Sequence, residues 1–204
     1  FRLSLKMLNI VNSTDIWAEQ WEGKTDNLSK IKNDILIKIL DSLAVQIPED
    51  LKKQAAKEKE IDPHAYELLM KAKYAYINAN SASDLEIAAA LFKQAFDIQP
   101  SYITARNFYA VIQFRLNKTD EAINILEEAE NIGKKNKDDI GLATIYDTFG
   151  MIYKQMGKYS KAVSYLKEGL RIATVNEILS REANILNTLG QCYTQMTQFE
   201  EAIE

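Results

Sequence analysis

Thr148-Phe149-Gly150-Met151-Ile152-Tyr153, followed by Gly157 and Ala162, returns forty positions later as Thr188-Leu189-Gly190-Gln191-Cys192-Tyr193, followed by Phe199 and Ala202. Forty positions earlier, Ala110 leads to Leu116 and Ala122. The chain is therefore an array of like units. Small residues at the matched positions let two helices approach closely, and the large residues around them fill what remains. A unit of two helices leaves an apolar face uncovered, so each must stack on its neighbours.

Working outward, the first unit holds Leu69, Ala72 and Tyr76, a turn at Asn80-Ser81-Ala82-Ser83-Asp84, then Ala88, Phe92, Ala95 and Pro100. The second holds Tyr109, Ala110 and Phe114, then Ala122, Leu126 and Ala129. The third runs from Tyr146 through Gly150, Tyr153, Gly157 and Tyr159 to Leu166 and Gly169, and the fourth from Leu186 to Ala202. Ala88 and Ala122 are 34 residues apart, whereas the next two intervals are 40. The longer interval predicts helices that run about one turn further around Asn131–Lys137 and Thr174–Leu179.

Seven Gly and three Pro in 204 residues leave few breaks, which favours long helices over many short strands. The net charge of -4 gives no long-range attraction to nucleic acid. The lysines at 52, 53, 57 and 59 and at 134, 135 and 137 lie among or beside acidic residues and read as solvated surface. A lone Cys192 excludes an internal disulfide and, with a lone His64, leaves no ligand set for zinc, so no cofactor or metal is expected and a cytoplasmic setting fits. The longest apolar run, Ile35-Leu36-Ile37, is far short of the roughly 20 residues of a membrane span. The start at Phe1 and the stop within a unit at Glu204 suggest a piece of a longer protein.

Ahead of the array, Phe1, Leu3, Leu5 and Met7 alternate with polar residues, and after the Asn12-Ser13-Thr14-Asp15 turn a second β-prone run, Ile16–Glu22, carries Trp17 and Trp21. These predict a β-hairpin. A helix follows, capped by Thr25 or Asp26, with Leu28, Ile31, Ile35, Ile39 and Leu43 at helical spacing and an end near Ile47-Pro48. Residues 1–47 then form a hairpin-plus-helix segment, 48–64 a charged helical connector, and 65–204 about four helix pairs, the last incomplete. Asp62-Pro63 reads as a helix cap and first helical residue.

The recurring small residue, Tyr, turn Gly, Ala, large residue and Ala resemble tetratricopeptide repeats over Ala65–Glu204. The resemblance implies a mainly α fold, an α-α superhelix. The second unit departs from the pattern, with Gln113 for the tyrosine, Asn117 for the turn glycine and no closing proline. Phe1–Leu8, Asp15–Trp21 and Pro63–Leu68 resemble the end of a TolB-like α/β domain running into such repeats. That combination is similar to bacterial class III adenylate or guanylate cyclases, and also to some transcriptional regulators and kinases. It implies a non-catalytic regulatory region whose output domain lies upstream.

No catalytic constellation is present. Gly150 to Gly157-Lys158 has the wrong spacing for a phosphate loop, with Tyr159 where a Ser or Thr would hold magnesium. Steps of four and three residues keep side chains on one side of a helix, which groups Asn107, Val111 and Phe114, then Asp147, Met151 and Lys154, then Asn187, Gln191 and Thr194. The resemblance places these nine on a concave groove, where amides, apolar anchors and a charge suit an extended peptide or a partner helix. Alternatively they form a solvated inner wall, or further repeats fill the groove. Asp147 and Met151 stand where a carboxylate clamp for chaperone C-termini would need Lys and Asn. The expected function is therefore protein–protein interaction and regulation, without membrane or nucleic-acid contact. Self-association of the chain, with its open hairpin edge and its incomplete last unit meeting copies of themselves, is a further alternative.

Overall fold

A computed structural model describes residues 2–9, 14–23, 28–42 and 62–196. Strand β1 (Arg2–Asn9) pairs antiparallel with β2 (Thr14–Glu22), Leu3 opposite Trp21 and Met7 opposite Trp17. The predicted alternation holds, with Leu3, Leu5 and Met7 half-buried while Arg2, Ser4 and Lys6 are exposed. The second strand begins earlier than Ile16, because an irregularity between Met7 and Leu8 carries the pairing on to Thr14 and Asp15, and Lys6 holds Asp15 at 2.9 Å. Helix α1 (Leu28–Ser42) lies against the hairpin, its Lys38 paired with Glu19 and placed over the Trp21 ring. Ile31 is buried, and Ile35 and Ile39 are half-buried, as helical spacing requires. The expected caps at Thr25 and Asp26, the helix end near Pro48 and most of the connector lie outside the described residues.

From Asp62 the chain is a succession of antiparallel helices: α2 (Pro63–Ile77), α3 (Ala82–Ile98), α4 (Ile103–Arg115), α5 (Thr119–Asn136), α6 (Asp139–Gln155), α7 (Tyr159–Val175) and α8 (Leu179–Gln195). Asp62 caps α2 as expected, accepting from the amides of His64 and Ala65, with Pro63 at the start of the helix. Helices α2, α4 and α6 each pack on the second helix of their unit, and α4 also packs on α6 and α6 on α8. One core joins the second unit to α8 through Leu126, Phe149, Leu166 and Ile185, all fully buried. Another fills the first unit and its junction with α4, around Phe92 and Ile112.

Ala72, Ala110, Gly150 and Gly190 each stand five residues before the end of their helix, which aligns the four units. The 40-residue interval arises where predicted. Helices α5 and α7 continue about a turn further past Ala122 and Ala162 than α3 does past Ala88, and α6 begins a turn earlier than α4. The extra residues of the first unit sit mainly at the start of α3, stabilised by a reciprocal cap between Ser81 and Asp84.

The backbone repeats with the same period at the turns. Asn117 and Gly157 both adopt left-handed conformations (φ 61° and 72°), as do Lys137 and Glu177 (φ 52° and 56°). In all four turns the following amide donates to the carbonyl five residues back: Lys118 to Gln113, Lys158 to Tyr153, Asp138 to Gly133 and Ile178 to Ala173. This is the left-handed helix stop that satisfies otherwise unpaired carbonyls. Asparagine tolerates that conformation better than most residues, so the turn survives the loss of glycine at 117.

Candidate functional site

The nine grouped residues lie on α4, α6 and α8, whose small residues Ala110, Gly150 and Gly190 recur at the forty-residue period. On α6, Lys154 donates from Nζ to Gln191 Oε1 of α8 at 2.6 Å, and Gln191 Nε2 in turn reaches Asn187 Oδ1 at 3.3 Å. Thr194 is exposed and its hydroxyl is turned back onto the Gly190 carbonyl. These four residues line an open cleft of about 590 Å³ together with Tyr159, Leu186, Gly190 and Gln195. Two units thus contribute to one surface.

The other five lie apart from that cleft. Asp147 is half-buried and accepts from Arg181 at 2.7 Å, an inter-unit ion pair between α6 and the start of α8. Met151 and Phe114 are half-buried against the main core, and Val111 is half-buried on α4. Asn107 is only 8% exposed, and its Oδ1 has no hydrogen-bond partner among the described residues. It belongs to the wall more than to an open surface.

Sequence spacing missed two features. Arg181 lies six residues before Asn187, the first aligned position on α8, and its contact with Asp147 is what brings it to the grouped residues. A cluster of Tyr76, Phe108 and Arg115 carries the surface onto α2: Tyr76 meets Phe108 edge-on at 5.8 Å, Phe108 stacks on Phe92 at 5.1 Å, and the Arg115 guanidinium sits 5.4 Å from the Tyr76 ring. The aromatic residues were visible in the sequence, but the lengthened first unit hid their register.

Cys192 is fully buried, and burial pushes its thiol above the usual range, with Lys154 opposing the shift. It packs as a small apolar side chain. His64 is exposed and 3.9 Å from Glu67. Among the described residues no cluster of His, Cys, Asp and Glu is placed to hold a metal, and no helix is long and apolar enough to cross a membrane.

Residues 100–174, which run from the turn before α4 almost to the end of α7, match the tetratricopeptide repeat family model. Over these residues the helical array is built of tetratricopeptide repeats. Its superhelix is similar to the TPR domain of Sgt2 from Aspergillus fumigatus (TM-score 0.55, 14% identity, 71% of this chain and 86% of that one). It is also similar to BtubC (BKLC) from P. vanneervenii (TM-score 0.53, 16% identity, 85% and 78%) and to MamA 41-end from Desulfovibrio magneticus RS-1 (TM-score 0.51, 13% identity, 89% and 90%). At such identities the likeness is one of fold. Over 111 residues, 54% of this chain, the sequence is 21% identical to a Rhizobium meliloti (strain 1021) protein named "Putative adenylate cyclase 3". The matched part is 19% of that protein's length.

Proposed function

We propose that the chain is a non-catalytic interaction and regulatory module whose inner TPR face binds a protein partner as an extended peptide or a helix. The observation that carries this reading is the convergence of Lys154 from α6 with Asn187, Gln191 and Thr194 from α8 on one open cleft. Amides suit the carbonyls and N–H groups of an incoming backbone, while Met151, Phe114 and Val111 offer apolar contact nearby. In this reading Asn107 stiffens the wall and Asp147 is reached only if Arg181 lets it go. A photo-crosslinking residue at Met151 should capture a peptide selected from a display library, and one at Glu127 on α5 should not. Equal capture at both sites, or capture at Glu127 alone, would refute the groove.

A second reading, compatible with the first, makes the chain the regulatory part of a class III nucleotide cyclase. The similarity to the Rhizobium protein favours it. Residues 1–47 would then close an α/β domain, 48–64 would connect it rigidly, and 65–204 would be the docking array, all in the bacterial cytoplasm. Cyclase activity of the parent polypeptide, altered when the array is removed, is the measurement that decides it; a parent with no nucleotide-cyclising activity would exclude it. The described sheet has two strands and therefore two open edges, which favours self-association as a further reading. Sedimentation of a strictly monomeric chain at high concentration would count against it.

A further inference from the structure

We propose that the groove selects acidic peptide segments, reading carboxylate side chains along the edge where the first helices pass into the second. This rests on the groove reading above and names its partner. Four cations stand on that edge: Arg115 and Lys154 in the last turns of α4 and α6, and Lys118 and Lys158 just after the left-handed turn residues. None of the four forms an ion pair with a described carboxylate. Arg115 lies over the Tyr76 ring and Lys154 donates to the neutral amide of Gln191, so neither meets a carboxylate there.

Several cations elsewhere on the array are matched with acids, as in Lys93–Asp97, Lys134–Glu130, Arg171–Glu168 and Arg181–Asp147, while Lys161 and Lys167 lie over the Tyr153 and Tyr193 rings. The Arg181 pair also neutralises Asp147, the only carboxylate among the nine inner positions of α4, α6 and α8. Asp120 and Glu121 do open α5 beside Lys118, but Glu121 already accepts from the Tyr109 hydroxyl at 2.5 Å, and no acid opens α7. The positive strip therefore centres on Lys154 and Lys158. In a chain of net charge -4 this is a local reversal of sign. Phe114 and Met151 lie beside it, which suits a peptide with apolar residues between its acids. A uniform polyanion such as nucleic acid is disfavoured by the overall charge.

The test uses end-blocked, fluorescein-labelled peptides built of repeated Xaa-Ser-Leu triplets, with Xaa as Glu, Gln or Lys, followed by fluorescence anisotropy on the whole chain. The Glu peptide should bind, the Gln peptide about tenfold more weakly and the Lys peptide not measurably, with the preference shrinking as salt rises. Lys154→Glu with Lys158→Glu, shown by circular dichroism to stay folded, should abolish the preference for Glu over Gln. Equal binding of the Glu and Gln peptides, no binding of either, or an unchanged preference in the double variant would overturn the proposal. So would equal displacement of the Glu peptide by a single-stranded oligothymidylate of matching charge. If Glu and Gln peptides bind equally and Met151→Ala weakens both, the groove stands and only its acidic selectivity falls; if crosslinking from Met151 also fails, the groove falls with it.

Discussion

Gly150 lies so close to Leu166 that a methyl group on its Cα would come within 2.3 Å of the leucine Cγ. That approach sets the spacing of α6 and α7. Gly150→Leu should cost about 1–3 kcal/mol or more, seen as a lower urea midpoint, because the branched carbon of a fully buried leucine has nowhere to move. An unchanged unfolding curve would refute the close-packing role.

The turns make a different kind of demand. A β-carbon at Gly157 would meet nothing within 4 Å, so Gly157→Ala should destabilise by about 1 kcal/mol through its φ of 72° alone. Lys137→Gly and Glu177→Gly should act in the opposite sense, each raising stability by up to about 1 kcal/mol by relieving left-handed non-glycine residues. Equal and opposite results would show that these turns relax.

Arg106 fastens the first unit to the second. Its Nε donates to the Pro100 carbonyl at 3.2 Å, its NH1 reaches Glu128 at 3.1 Å, and its guanidinium lies 4.5 Å from the Phe96 ring centroid. Lysine keeps the charge but loses the planar stack and the fork, so Arg106→Lys should cost about 1–2 kcal/mol. Glu128 is exposed, and Glu128→Gln should cost less than about 1 kcal/mol. The reverse ranking in chemical denaturation would place the fastening in the ion pair.

The Tyr109 and Tyr146 hydroxyls are pushed up to about 12, first by burial and then by donating to Glu121 and Glu130. The unfolded chain releases these protons near the ordinary value of 10.0, so between those values the native state holds more protons and stability falls as pH rises. The contribution is complete below pH 10 and is lost toward pH 12. Urea midpoints measured across that window should decline more gently in Tyr109→Phe with Tyr146→Phe than in the unaltered chain. Parallel declines would show that other groups dominate.

The fold was legible because packing repeats: Ala110, Gly150, Ala122 and Ala162 recur at a fixed interval, and close helix contact tolerates few alternatives there. The cap at Asp62-Pro63 was legible because its chemistry is local. The start of β2 was misjudged, since Thr14 and Asp15 look like turn residues and are drawn into the strand by pairing that sequence alone does not reveal. The candidate site was legible as a set of positions and not as a set of contacts. Spacing put Lys154 and Gln191 on corresponding sides of two helices, yet their hydrogen bond and the capture of Asp147 by Arg181 depend on inter-unit distances. Asn107 shares the register of Asn187 but sits in the middle of the array, where neighbours on both sides bury it.

The central claim is that repeated residues build the scaffold and unrepeated inner residues recognise the partner. The affinity of a selected peptide for the chain carrying Met151→Ala and Asn187→Ala tests it most directly, with Glu127→Ala and Ser164→Ala on the outer helices as the comparison. The inner pair should weaken binding by about tenfold or more while leaving the melting temperature within a few degrees, and the outer pair should change neither. Unaltered binding in the inner pair, or an equal loss in the outer pair, would contradict the account.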